Sequence, residues 1–122
     1  MLVPSMKILI VEDESIVALE IKEILLELGH DVVHVAASGG DAVKYADELH
    51  PDLILMDLTL KGSMNGLEAL NAINRSSGIP TIIVTAHSDD KTLSEVKKHK
   101  ARGVLLKPFS KHALIQAIEM AS

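Results

Sequence analysis

Acidic, hydroxyl and amine side chains stand at the ends of short apolar runs in this sequence. Glu12 and Asp13 follow the first run, and Asp57 closes a later one. Thr85 and Lys107 follow two more. If these runs are parallel strands, their carboxyl ends meet at one edge of the sheet, where ligands of open α/β sheets bind. The spacing therefore predicts one site that contains three carboxylates, a hydroxyl and a lysine.

Such a set of side chains suits phosphoryl chemistry supported by a divalent cation. Clustered carboxylates repel one another, and Mg²⁺ compensates them while it keeps waters and phosphate oxygens as further ligands. A carboxylate held between a cation and a lysine is a nucleophile that can form an acyl phosphate, so Asp57 is the predicted acceptor. Lys107 would neutralise charge on the transferring group, and the Thr85 hydroxyl would donate to one of its oxygens.

Each of these residues also has an ordinary structural explanation when it is taken alone. An acidic pair after a strand is common in loops, and a lone Asp at a strand end is as often a turn former. A Lys-Pro pair is typical of a turn, and a threonine before a helix is typical of an N-cap. The combination at successive strand ends on one edge is what indicates a site.

The spacing of apolar residues predicts five strands that alternate with five helices. The strand runs are continuously apolar, as in strands buried on both faces, whereas the helical segments show 3.6-residue spacing. This alternation is typical of an α/β protein with a (βα)5 doubly wound, five-stranded parallel sheet in the flavodoxin-like order 2-1-3-4-5. The predicted strands are 7–11, 31–36, 52–57, 80–84 and 103–106, and the predicted helices are 15–28, 40–49, 65–74, 89–100 and 110–120.

Composition narrows the class of protein. The chain has 122 residues, 48% of them hydrophobic, which suits one compact domain with a core. A net charge of −5 argues against a nucleic-acid binder, and the absence of cysteine excludes disulfides and thiolate metal sites. Only Tyr45 and Phe109 are aromatic, too few for a base-stacking platform. Neither a membrane span nor a signal peptide is visible, so a cytoplasmic location is expected.

Four segments carry the residues singled out above: Ile8–Glu14, Asp52–Asp57, Val84–Ala86 and Leu106–Phe109. Together they resemble the receiver domain of response regulators in two-component systems, and the match covers residues 6–120. The resemblance implies a phosphorelay switch in which a histidine kinase or histidine phosphotransfer protein phosphorylates Asp57, with Mg²⁺ as cofactor. Residues 6–122 would form the receiver domain, and residues 1–5 are predicted to be a disordered lead.

The same resemblance implies a role for each site residue. Asp13 would bind the metal directly and Glu12 through water, and the backbone carbonyl of Thr59 would be a further ligand. Thr85 would be the switch hydroxyl, and Lys107 would contact the phosphoryl group. The domain would not be an enzyme beyond catalysing its own phosphorylation and dephosphorylation. Phosphorylation would alter the surface of the fourth helix and fifth strand, which would bind a downstream protein or a second copy of the chain.

Three positions depart from the usual pattern of that family. The loop 58–66 is about one residue longer, with Lys61 in place of a proline, which questions kinase docking and loop rigidity rather than chemistry. Val104 replaces a frequent aromatic residue, so a coupled aromatic swing is not available. His87 stands two residues after Thr85, where the side chain tunes the lifetime of the phosphoryl group in a direction that the sequence does not reveal.

Three other interpretations of the chain have less support. A flavodoxin-type binding module would need a phosphate cradle where this chain has Glu12 to Glu14. An aspartyl-phosphate hydrolase would need a second Asp at position 59, which is Thr59. The intact Asp57, Thr85 and Lys107 argue against a degenerate receiver that only binds partners. A phosphoryl relay or sink without its own conformational output remains the alternative function.

Two further groups of residues have predominantly structural explanations. Five histidines lack the spacing of metal ligands and are predicted to be exposed. The basic segment 97–102 is interpreted as a solvated helix end, with a docking patch for an acidic partner as the alternative. The five histidines are His30, His34, His50, His99 and His112.

Overall fold

A computed structural model describes residues 4–122 and shows the predicted five-stranded parallel sheet with the order β2-β1-β3-β4-β5. The strands are β1 (Lys7–Val11), β2 (Asp31–Ala36), β3 (Leu53–Asp57), β4 (Thr81–Thr85) and β5 (Gly103–Leu106). The helices are α1 (Ser15–Glu27), α2 (Gly39–Leu49), α3 (Gly66–Ser76), α4 (Asp90–Lys98) and α5 (Lys111–Ala121). Among the described residues, no helix has the length and apolarity needed to cross a membrane.

The sheet separates two hydrophobic clusters, one under each layer of helices. Alternate residues of a strand point to opposite faces, so Ile8 and Ile10 pack with α1 and α5, whereas Leu9 and Val11 pack with α2, α3 and α4. Both faces of the central strands are therefore buried, which explains why their sequences are continuously apolar.

Side-chain caps set the first residues of several helices. Asn65, Asp89 and Ser110 were predicted as helical, but each lies just before its helix and accepts a hydrogen bond from the backbone N–H three residues later. Asn65 and Glu68 form a reciprocal capping box at the start of α3. These helices therefore begin one residue later than the apolar pattern indicates.

The turn between α1 and β2 contains a residue that the sequence analysis misplaced. Gly29 adopts a φ of +87°, and the N–H groups of Gly29 and His30 donate to carbonyls in the last turn of α1. His30 is buried rather than exposed, with 7% of its surface accessible, and its Nδ1 accepts a hydrogen bond from the Met6 N–H. Burial lowers the pKa of His30.

The predicted N-terminal lead, residues 1–5, lies mostly outside the residues that the structure describes. Residues 1–3 are not among the described residues. The Ser5 hydroxyl donates a hydrogen bond to the Gly29 carbonyl over 2.8 Å.

Candidate functional site

Three carboxylates meet at the carboxyl edge of the sheet. Strands β1 and β3 are hydrogen-bonded neighbours, with Val11 opposite Met56. Glu12 and Asp13 follow β1 and Asp57 ends β3, so the pairing of these two strands brings the three residues together. One carboxylate oxygen from each of the three lies within 4.8 Å of the others. Oxygen ligands in this arrangement fit a hard divalent cation such as Mg²⁺.

Glu12 forms the buried floor of this cluster. Only 3% of its surface is accessible, and its Oε1 accepts a hydrogen bond from Lys107 Nζ at 3.0 Å. Its Oε2 accepts the Glu14 N–H at 3.1 Å. Burial raises the pKa of Glu12, and the charge of Asp57 adds to that rise, although both hydrogen bonds oppose it.

Asp57 lies between the same lysine and the following loop. Only 5% of the surface of Asp57 is accessible. Its Oδ2 accepts a hydrogen bond from Lys107 Nζ at 3.2 Å. Oδ1 accepts the Thr59 N–H at 3.0 Å. Burial opposes the charge on Lys107, but its hydrogen bonds to Glu12 and Asp57 and their negative charges outweigh burial and raise the pKa of Lys107. The lysine therefore remains a cation that neutralises part of the cluster.

Asp13 is held by the loop that follows β3. Its Oδ2 accepts the Lys61 N–H at 3.2 Å. A proline at this position would have no N–H to donate, so the departure from the family pattern supplies a contact. Leu60 is buried in the core beside it. The longer loop is thus tied to the acidic cluster and to the core.

An open cleft of about 340 Å³ leads to Asp57. Asp13, Thr59, Lys61 and Lys107 line it together with His87. Thr59 is placed beside Asp57, but the contact that the structure records is its N–H, and the metal role of its carbonyl stays a prediction. His87 stands at the cleft, as expected from its position near the end of β4.

Thr85 is close to Asp57 in the sheet but is not hydrogen-bonded to it. It is buried at the end of β4, opposite Leu106 of β5. Its Oγ1 accepts the His87 N–H at 3.0 Å, and no hydrogen bond joins it to Asp57 in the described part of the chain. A hydroxyl that accepts one hydrogen bond can still donate its own hydrogen, so Thr85 places a donor at this edge of the sheet.

Close packing of α3 fixes the backbone at Asp57. A Cβ atom at Gly66 would lie 2.5 Å from the Asp57 carbonyl oxygen and 2.8 Å from Leu58 Cα. The Gly66 N–H also donates to the Leu58 carbonyl at 3.1 Å. Only glycine allows α3 to begin this close to the end of β3, so Gly66 is a positioning residue for Asp57.

Helix α1 has an exposed apolar surface that was not predicted from the sequence. Ile16 is 75% accessible, and Leu19 and Leu26 are also exposed. The buried side of the helix is formed by Ala18, Ile21 and Leu25. The signal was present as a second set of apolar positions offset from the core stripe, and α1 begins directly beside Glu12 and Asp13.

Comparisons with known proteins agree with this geometry. A family model described as the response regulator receiver domain matches residues 8–119. The chain is 34% identical to the transcriptional regulatory protein PdtaR of Mycobacterium tuberculosis over 94% of its own length, but it spans only 56% of that protein. It is 31% identical to the chemotaxis protein CheY of Thermotoga maritima, covering 95% of this chain and 97% of CheY.

Solved structures show the same likeness. The signal receiver domain of a modulated diguanylate cyclase from Desulfovibrio desulfuricans has a TM-score of 0.88 and 34% identity, and the match covers 96% of this chain and 93% of that one. The N-terminal domain of a response regulator from Carboxydothermus hydrogenoformans has a TM-score of 0.84 and 36% identity, covering 94% and 92%.

Proposed function

The chain belongs to the response regulator receiver family, and from that membership we propose that it is a phosphorylation-dependent switch whose acceptor is Asp57. The observation that carries the proposal is the position of the Asp57 carboxylate, which accepts a hydrogen bond from Lys107 Nζ and lies within 4.8 Å of the Glu12 and Asp13 carboxylates. The phosphoryl donor would be a histidine kinase or a histidine phosphotransfer protein. The chain would catalyse only the gain and loss of its own phosphoryl group.

The carboxylates would hold Mg²⁺, with Glu12, Asp13, Asp57 and the carbonyl of Thr59 as its protein-side partners. When bound, the ion would offset negative charge on the carboxylates and on the incoming phosphoryl oxygens. The cluster supports this proposal because its oxygens lie within 4.8 Å of one another and one member is half-buried beside the open cleft.

Lys107 would change partners during phosphorylation. Its ammonium now shares its hydrogen bonds between Glu12 and Asp57 at 3.0 and 3.2 Å. A phosphoryl group on Asp57 presents stronger acceptors than a carboxylate that is already paired. The ammonium would then bind a phosphoryl oxygen, and the buried Glu12 would depend on the cation for neutralisation.

The signal would leave the site through Thr85. Its hydroxyl hydrogen would donate to a phosphoryl oxygen, which draws the end of β4 inward. Helix α4 follows directly, and Val96 is its single buried residue, so displacement disrupts little packing. Val104 on β5 is exposed and carries no aromatic ring, so backbone and helix movement would carry the change. A partner or second copy would read the α4–β5 surface.

The donor would dock on α1. Its exposed Ile16 and Leu19 lie on the helix that starts three residues after Glu12, next to the mouth of the site. Exposed apolar side chains gathered beside a reacting group are typical of an interaction surface.

A relay or sink role is the second candidate. It is favoured by Val104, which is exposed and has no aromatic ring, so one expected link between Asp57 and α4 is missing. In that role Asp57 would be phosphorylated in the same way, but α4 would not respond.

Intact-mass spectrometry tests the acceptor assignment. After incubation with acetyl phosphate and Mg²⁺, the protein should gain the mass of one phosphoryl group, and Asp57→Asn should gain none. Asp52→Asn is the matched control, because Asp52 precedes the same strand at its opposite end. Labelling of the Asp57→Asn protein to the wild-type level would remove Asp57 from the acceptor role.

A further inference from the structure

The charged residues of this protein are distributed unevenly along the sequence. Residues 1–68 contain 13 acidic and 4 basic side chains, for a net charge of −9. Residues 69–122 contain 4 acidic and 8 basic side chains, for a net charge of +4, and the two parts sum to the overall −5. An anion that is repelled by the first half can therefore approach the second half.

The positive half contains an open cleft between the carboxyl ends of α3 and α4. Its volume is about 290 Å³, and it lies at the end of the molecule opposite Asp57. Three cationic and three neutral polar side chains surround it, and no carboxylate does. The lining residues are Asn71, Asn74, Arg75, Lys98, His99 and Lys100.

The three cations at this cleft have no ionic partner among the described residues. Arg75, Lys98 and Lys100 take part in no ion pair or side-chain hydrogen bond within residues 4–122. The carboxyl ends of two helices oppose them with about half a negative charge each, and His99, which also lines the cleft, contacts the Glu95 carboxylate at 3.4 Å. The cleft therefore keeps a net positive charge, which favours an anion.

Lys100 adopts a left-handed conformation just after α4. Its φ is +63°, which carries a steric cost for residues with a Cβ. Gly29 after α1 and Gly78 after α3 adopt a similar conformation without that cost, whereas His50 after α2 adopts it at a φ of +47° and carries the same cost. The left-handed conformation is therefore not peculiar to Lys100, and its contribution to the cleft is its charge.

We propose that this cleft is a binding site for a phosphate-type oxyanion. Arg75 supplies a planar fork that suits tetrahedral oxyanions, and Lys98 and Lys100 supply point charges. Asn71 Oδ1 contacts His99 Nδ1 at 2.9 Å, which leaves the Asn71 amide group available as a neutral donor.

A bound oxyanion would join the two helices that form the cleft. Arg75 belongs to α3, whereas Lys98 and Lys100 belong to the end of α4. The only described side-chain ties between these ends pass through His99, whose carbonyl accepts from Asn74 Nδ2 at 2.9 Å and whose ring contacts Asn71. Occupancy would therefore strengthen the anchorage of a weakly packed helix.

An amide NMR titration with pyrophosphate tests the site in metal-free buffer at constant ionic strength. We expect saturable shifts in residues 71–76 and 97–101. The triple variant Arg75→Gln/Lys98→Gln/Lys100→Gln should weaken binding at least tenfold. All three side chains are exposed, so the variant should fold, and its unaltered spectrum elsewhere would show that it does.

A second triple variant, Lys7→Gln/Lys22→Gln/Lys44→Gln, is the control, since it removes the same charge from exposed positions elsewhere. It should bind pyrophosphate within twofold of the wild type. Shifts that increase without saturation, equal weakening in both variants, or shifts confined to residues 12–14 and 57–60 would each overturn the proposal. Saturation by oligoglutamate but not by pyrophosphate would also overturn it, because the surface would then bind an acidic protein.

Discussion

Asp13→Asn should make the metal-free protein more stable. The nearest oxygens of Asp13, Glu12 and Asp57 lie within 4.8 Å of one another. At that separation two unit charges repel by about 0.9 kcal/mol at the dielectric constant of water and by about 3.5 kcal/mol at an effective value of about 20. Asp13 is half-buried, and Lys107 already offsets part of the negative charge of the cluster. The lower repulsion energy therefore applies to each of the two pairs that Asp13 forms, one with Glu12 and one with Asp57. The free energy of unfolding should rise by about 1–2 kcal/mol.

The Asp13→Asn variant removes the negative charge of residue 13 but keeps the shape of its side chain. Its side-chain oxygen can still accept the Lys61 N–H that Asp13 accepts. Urea unfolding in EDTA and in Mg²⁺ measures both consequences. Wild type should gain about 1.4 kcal/mol when Mg²⁺ is about ten times its dissociation constant, and the variant should gain little. Asp31→Asn, an exposed carboxylate outside the cluster, should behave like wild type.

Two results would refute this reasoning. If Asp13→Asn lowered the metal-free stability, the carboxylate would be a net stabilising group rather than a repelled one. If Mg²⁺ stabilised the variant as much as wild type, Asp13 would not take part in the cation site.

Two further variants test the supporting structure. Burial lowers the pKa of His30, so the stability it contributes is complete above pH 6.5, the ordinary value, and is lost as the pH falls toward the lowered one. His30→Gln, which can still accept the Met6 N–H, should remove that part of the pH dependence in urea unfolding, and an unchanged pH profile would contradict it. Gly66→Ala should lower stability by about 1–3 kcal/mol and slow phosphorylation, because its Cβ meets Asp57 and Leu58 backbone. Gly40→Ala, with open space around its Cβ, should do neither.

The order of the strands in the sheet and the three carboxylates at its edge could be predicted from the sequence. Strands buried on both faces must be continuously apolar, and that constraint identified β1 and β3 with their last residues. Parallel strands end at a common edge, so the meeting of Glu12, Asp13 and Asp57 follows from strand order. These features depend on side-chain chemistry, which the sequence records directly.

The contacts that orient those side chains could not be predicted. The N–H groups of Thr59 and Lys61 hold Asp57 and Asp13, and a backbone donor is the same for almost every residue type. The ion pair between Lys107 and Glu12 depends on the side-chain rotamers that these residues adopt in the folded protein. His30 was assigned to the surface because its burial arises from the meeting of α1 with the start of β1, which no local pattern records.

The most direct test of the switch itself is amide NMR with and without beryllofluoride, which mimics the phosphoryl group on Asp57. The account predicts shifts that extend through residues 86–106, including α4 and β5. Thr85→Ala should reduce the distant shifts and leave those around Asp57. Shifts confined to the loops at Glu12, Asp57 and Lys107 would contradict the switch and favour a phosphoryl relay or sink.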